Sequence, residues 1–136
     1  MPVVVDAALA FGWLVKEERT PQIIRLGREI MKEGAIAPQY FFLEVANALS
    51  MAERRKRFGA QTTEALIDRL RRFPIVVSPI DIPERLGGIV ELARKHRLTV
   101  YDALYLELAQ RRGATLATLD ADLRRAAAAI GVQVLP

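Results

Sequence analysis

The chain has 136 residues, 51% hydrophobic and 26% charged, which is enough apolar material for one self-supporting core and too much for a disordered chain. It has no cysteine and one histidine, His96. That excludes a disulfide scaffold, thiolate metal sites, a thiol nucleophile and any multi-histidine metal site within one chain. The net charge of +4 is uneven: residues 1–53 carry −2, residues 54–72 carry +5 and residues 73–136 carry +1. The excess lies around Arg54, Arg55, Lys56 and Arg57, with Arg69, Arg71 and Arg72 behind them. Such a patch suits a polyanion such as nucleic acid, or simply a solvated helix face.

Val3–Val5 predicts a short buried strand, and Asp6 stands at its C-terminal end. The apolar stretch that follows has no basic leader and contains Asp6. It reads as strand then helix rather than as a signal peptide, and no run reaches the ~18 apolar residues of a membrane span. The expected compartment is the cytoplasm. Thr20-Pro21 is a helix start, with Ile23, Ile24, Gly27, Ile30 and Met31 on one face and Gly34 as the stop.

Ala35–Ala37 predicts a second strand. Pro38 opens a helix that turns Phe41, Phe42, Val45, Leu49 and Ala52 to a core, and Arg54–Gly59 is the expected exposed turn. Thr62 or Thr63 caps a helix with Leu66, Ile67 and Leu70 inside. A third strand covers Ile75–Ser78. Pro83 starts a helix with Leu86, Ile89, Val90 and Ala93 inside. Thr99 caps the helix Val100–Arg112, which is apolar almost all round and so is expected to be central. Thr115–Thr118 is a strand, Asp120 opens the last helix, and Val132–Leu135 is the last strand. Strands alternating with helices predict a parallel α/β sheet covered on both faces, in one domain spanning residues 1–136.

Four carboxylates are hard to place by stability alone. Asp6 and Asp120 follow strands, at the edge where open α/β sheets bind ligands, although each could equally be a helix N-cap. Asp102 lies in the first turn of the apolar helix, where the helix dipole alone would favour an acid. Glu44 sits mid-helix on an apolar face. Burial there costs several kcal/mol unless it has a partner such as a buried cation. Carboxylates gathered at one edge resist ionisation together. A hard divalent cation, Mg²⁺ or Mn²⁺, would relieve this with oxygen ligands and would polarise a phosphate.

Taken in order, Val3-Val4-Val5-Asp6-Ala7, Glu44-Val45-Ala46-Asn47-Ala48-Leu49, Leu98-Thr99-Val100-Tyr101-Asp102-Ala103-Leu104-Tyr105 and Leu116-Ala117-Thr118-Leu119-Asp120 resemble the PIN domain family over nearly the whole chain. Within it they resemble the small VapC-like toxins of toxin–antitoxin pairs. The resemblance implies a PIN-like three-layer α/β/α sandwich around a parallel sheet. It implies an endoribonuclease that depends on Mg²⁺ or Mn²⁺ and leaves 5′-phosphate and 3′-hydroxyl ends. The implied catalytic set is Asp6, Glu44, Asp102 and Asp120, with Asp6, Asp102 and Asp120 holding the metal directly or through water. Thr118 is implied to contact a water of the metal or a phosphate, and Asn47 to support the site from behind. Asp122 is either a further ligand or an exposed first-turn acid. Arg54, Arg55, Lys56 and Arg57 are expected to hold the RNA backbone.

The family usually has a polar residue where this chain has Ala8, which bears on rate or substrate choice rather than on the carboxylates. Expected partners, by resemblance, are RNA, a second copy of the chain, and a small antitoxin whose tail lays an arginine in the acidic cleft; no membrane is expected. A non-catalytic RNA-binding module of the same fold is the alternative. A phosphohydrolase or phospho-receiver is a third, though no lysine follows a late strand to complete a receiver site. His96 reads as a surface residue, and Trp13, Tyr40, Phe41 and Phe42 as core or subunit interface.

Overall fold

In the computed structural model, which describes residues 2–136, five short strands form one parallel sheet. They are β1 (Val3–Val5), β2 (Ala35–Ala37), β3 (Ile75–Val77), β4 (Thr115–Ala117) and β5 (Val134–Leu135), in the spatial order β3-β2-β1-β4-β5. Val4 lies opposite both Ile36 and Leu116. From β1 the chain moves outward through β2 to β3, then returns to lay β4 on the other side of β1. The order therefore reverses between β1 and β4, and the carboxyl ends of strands at such a switch point are where open α/β sheets bind ligands.

The helices are α1 (Ala7–Leu14), α2 (Pro21–Glu33), α3 (Phe41–Arg54), α4 (Ala60–Leu70), α5 (Ile82–His96), α6 (Val100–Arg112) and α7 (Ala121–Ala129), with a 3-10 turn at Lys16–Glu18. Helix α1 packs on α2 and α3, while α6 packs on α5, α7 and the central strands β1 and β4. Thr20, Asp81, Thr99 and Asp120 cap their helices through side-chain oxygens, each satisfying an amide that has no partner within its helix. Phe41, Val45, Leu49 and Ala52 form the buried stripe of α3 at helical spacing. Each large member contributes about 1.5–3 kcal/mol by leaving water.

Some local expectations change. Helix α3 begins at Phe41, because Pro38–Tyr40 make a turn in which the Phe41 N–H reaches Pro38 O at 3.0 Å. Helix α4 is capped at Gly59, not at Thr62 or Thr63, and the Thr63 hydroxyl instead donates back to Gly59 O within the helix. Helix α6 is buried along Ala103–Leu106, Leu108 and Ala109, but its first turn exposes Val100 and Tyr101 to a groove. Leu86 and Val90 of α5 and Met31 of α2 are also exposed rather than core. Arg54–Gly59 is an exposed turn in which Lys56 takes a left-handed backbone conformation.

Candidate active site

The crevice between β1 and β4 is built from chain reversals. Asp6 ends β1 and caps α1: its Oδ1 accepts the Leu9 N–H at 2.8 Å. Its Oδ2 accepts a short hydrogen bond from the Thr118 hydroxyl. Asp120 follows β4 and caps α7, its Oδ1 accepting the Leu123 N–H at 2.9 Å, while its own N–H donates to Thr118 Oγ1 at 3.0 Å. Capping and site-building are therefore not alternatives for these two residues. The cap fixes the rotamer that presents the carboxylate to the crevice.

Asp102 and Glu44 arrive from two different helices. Asp102 is the third residue of α6, where Thr99 caps the helix by accepting the Asp102 N–H at 3.0 Å. Glu44 flanks the buried stripe of α3 and is half-buried. Its partner is not a cation. The Tyr105 hydroxyl donates to Glu44 Oε1 at 2.9 Å, and Tyr105 is 1% exposed.

Three of the four carboxyls are held up by burial and by neighbouring charges. Burial pushes the Asp6 carboxyl up to about 6, against hydrogen bonds from Thr118 and Leu9 that lower it, and Asp120 and Asp102 raise it further. Burial also raises Glu44, opposed by the Tyr105 hydrogen bond and reinforced by the charges of Asp102 and Asp6. Asp102 is raised by burial first and by the Asp120 charge second. Among the described residues, none of the four forms an ion pair. Three raised carboxyls, with the Asp120 charge beside Asp6 and Asp102 and no counter-charge, fit a hard cation.

No three histidine, aspartate or glutamate side chains among the described residues converge closely enough to share one ion directly. A cation there would meet most of these carboxylates through its own waters, as Mg²⁺ commonly does.

The other sequence-derived residues are placed as follows. Thr118 is fully buried, with its hydroxyl proton on Asp6 and a lone pair on the Asp120 amide. It clamps two carboxylate-bearing segments together. Asn47 is exposed one turn beyond Glu44, on a groove of ≈ 940 Å³ that it shares with Tyr40, Leu43, Leu86, Val100 and Tyr101. Asp122 is an exposed first-turn acid paired with Arg125 at 2.6 Å. Arg54–Arg57 lie at the far end of α3, roughly 15 Å along the helix from Glu44, and Arg57 is paired with Glu18 at 2.6 Å. His96 closes α5 and takes no part in the carboxylate hydrogen bonds.

Two residues were missed by sequence reasoning. Tyr105 lies in the Leu98–Tyr105 motif but was given no role there, although a phenol one turn after Asp102 on an apolar face was a signal. Arg124, one turn after Asp120, donates to the carbonyls of Thr118 at 3.0 Å and Pro136 at 3.1 Å.

A parallel α/β sheet that gathers four carboxylates at its switch point defines an acidic-site α/β domain. The sequence profile of the PIN domain matches residues 3–129, and the chain belongs to the PIN domain family. It is 32% identical over 123 residues to ribonuclease VapC3 of Pyrobaculum aerophilum, covering 90% of this chain and 92% of that protein. It is also 32% identical over 124 residues to ribonuclease VapC3 of Mycobacterium tuberculosis, covering 91% and 86%. In structure it is similar to PAE2754 from Pyrobaculum aerophilum, with a TM-score of 0.71 at 21% identity over 98% of this chain and 83% of that one. FitAcB from Neisseria gonorrhoeae gives 0.70 at 16% identity over 98% and 96%. These likenesses agree with the expected three-layer PIN fold.

Proposed function

We propose that this chain is a metal-dependent endoribonuclease, the toxin of a toxin–antitoxin pair, acting as one PIN domain over residues 1–136 in the cytoplasm. The observation that carries this reading is the set Asp6, Glu44, Asp102 and Asp120 about the β1/β4 switch point, in which Asp6, Glu44 and Asp102 are raised by burial and neighbouring charges and none of the four forms an ion pair among the described residues. Identity to two ribonucleases named VapC3 along nearly the full chain supports RNA as the substrate. No helix among the described residues is long and apolar enough to cross a membrane.

Asp6, Asp102 and Asp120 would hold Mg²⁺ or Mn²⁺ directly or through its waters, and Glu44 would complete the acidic pocket. When bound, the cation polarises the phosphodiester and makes water a stronger nucleophile. Thr118 keeps Asp6 and the Asp120 loop at fixed separation, and the helix caps keep both carboxylates aimed at the crevice. Glu44 Oε2, which no described residue bonds, would be free to face the cation or one of its waters. Hydrolysis breaks the P–O3′ bond, leaving 5′-phosphate and 3′-hydroxyl ends. Arg54, Arg55, Lys56 and Arg57 hold RNA backbone away from the cut. The exposed apolar residues Leu43, Leu86, Val100 and Tyr101 beside Glu44 are the face for a second copy. The unpaired carboxylates are the receptor for an antitoxin arginine.

The test is cleavage of total host RNA by wild type and Asp6→Asn, each with Mg²⁺, with Mn²⁺ and with excess EDTA. Cleavage that needs metal and is lost in Asp6→Asn is the expected result. Full activity in EDTA overturns the reading. RNA binding without cleavage, unaffected by Asp6→Asn, turns it toward a binding module.

A further inference from the structure

Helix α6 buries Ala103, Leu104, Leu106, Leu108 and Ala109 as a purely aliphatic surface, with one polar side chain, Tyr105, among them. Packing alone does not ask for that hydroxyl. Phenylalanine would fill the same space, and a buried hydroxyl is unfavourable unless it is bonded. The phenol is spent on one contact between side chains, the donation to Glu44 Oε1 at 2.9 Å across 61 residues of sequence. The amide of Ala7, the residue after Asp6, faces the same phenol oxygen. The ring thus links three elements, joining the start of α1 to the carboxylate on α3 through a rigid side chain on α6. Glu44 has three rotatable bonds, is half-buried and has no other donor among the described residues. Tyr105 also lies one helical turn after Asp102, so the two project from the same side of α6.

We infer that Tyr105 is the positioning residue of the acidic site: its phenol pins Glu44 Oε1 and so leaves Oε2 for a divalent cation or its water. This rests on the metal-site reading proposed above. Tyr105 touches neither RNA nor metal; it acts through Glu44, as groups behind metal ligands do, where their loss typically weakens metal affinity or activity about 10- to 100-fold.

The experiment is equilibrium titration with Mn²⁺ alone, free ion read by electron paramagnetic resonance, on wild type, Tyr105→Phe, Glu44→Gln and the double variant. Thermal melts of each accompany it. Tyr105→Phe keeps the ring and is expected to weaken Mn²⁺ binding by roughly 10-fold or more. In the Glu44→Gln background the same change is expected to add nothing, because the two residues act as one unit.

Glu44→Asp guards against a folding defect in Tyr105→Phe. It draws the carboxylate back by one methylene, out of the phenol's reach, from a half-exposed position. It is expected to lose Mn²⁺ affinity as Tyr105→Phe does. Unchanged affinity in folded Tyr105→Phe or in Glu44→Asp overturns the inference, as does an equal loss in both backgrounds, the mark of a merely structural tyrosine. Wild type that binds no Mn²⁺ overturns the metal-site reading itself. Tight wild-type binding with an unaffected Tyr105→Phe overturns this inference alone.

Discussion

Thr118 donates its hydroxyl proton to Asp6 Oδ2 across 112 residues of sequence, and the same oxygen accepts the Asp120 N–H at 3.0 Å. One buried side chain thereby spaces two carboxylates that repel each other. Thr118→Val keeps the shape and leaves both partners without their bond. Each unmade bond in a buried setting costs about 1–3 kcal/mol. The expected loss, read by urea denaturation, is about 2–4 kcal/mol, with RNA cleavage at least about tenfold slower. Thr118→Ser is expected to keep most of both. Wild-type stability in Thr118→Val would show that the clamp carries nothing.

The raised Asp6 pKa has a defined sign. The native chain holds this proton more tightly than the unfolded chain, whose value is 3.8, so the contribution is greatest below about pH 4 and is lost as pH rises through about 6. A shift of about two units is worth about 3 kcal/mol. In EDTA, wild type measured against Asp6→Asn should lose stability between about pH 4 and pH 7. At pH 7 Asp6→Asn should be the more stable protein by about 1–2 kcal/mol, since relief of the buried charge is partly offset by a weaker bond to Thr118. Parallel stability curves for the two proteins would contradict the burial argument.

Glycines in two helices should respond with opposite signs. A Cβ on Gly27 of α2 would lie 2.3 Å from Cε3 of Trp13, whose ring stacks under Arg19 at 5.1 Å. Overpacking of this kind costs about 1–3 kcal/mol. Gly87 and Gly88 of α5 have open space around them, so alanine there is expected to stabilise by about 0.5–1 kcal/mol. Thermal melts of the three single variants check both signs.

The basic turn is expected to act on binding rather than on chemistry. Replacing Arg54, Arg55 and Lys56 together by alanine should raise the KM for RNA and leave kcat near wild type. The salt dependence of RNA affinity should flatten by about 2 in the log–log slope. An unchanged slope would remove this turn from the RNA path.

The sheet, its parallel sense and most helices were legible because apolar runs, caps and glycine stops agree with one another. Asp6 and Asp120 were legible as strand-end acids, since such ends face the switch-point crevice. Asp102 and Glu44 were visible as acids on apolar faces. What pairs them was not. The sequence offered a buried cation for Glu44, and the fold supplies a phenol 61 residues away, a pairing between two helices that the local pattern around either residue does not specify. The Thr118 bond to Asp6 was hidden for the same reason, because its neighbours in sequence do not reveal that β1 and β4 lie side by side. The N-terminus of α4 was misplaced because Gly59 has no side-chain oxygen to announce a cap.

Asp6, Glu44, Asp102 and Asp120 are expected to work as one catalytic unit. The most direct test is single-turnover cleavage of end-labelled RNA in Mg²⁺ by Asp6→Asn, Glu44→Gln, Asp102→Asn and Asp120→Asn, with the fold of each checked by circular dichroism. The expected result is a loss of about 100-fold or more in every variant, with no greater loss when two are combined, as for groups acting together. A folded variant of any of the four that cuts at the wild-type rate would contradict it.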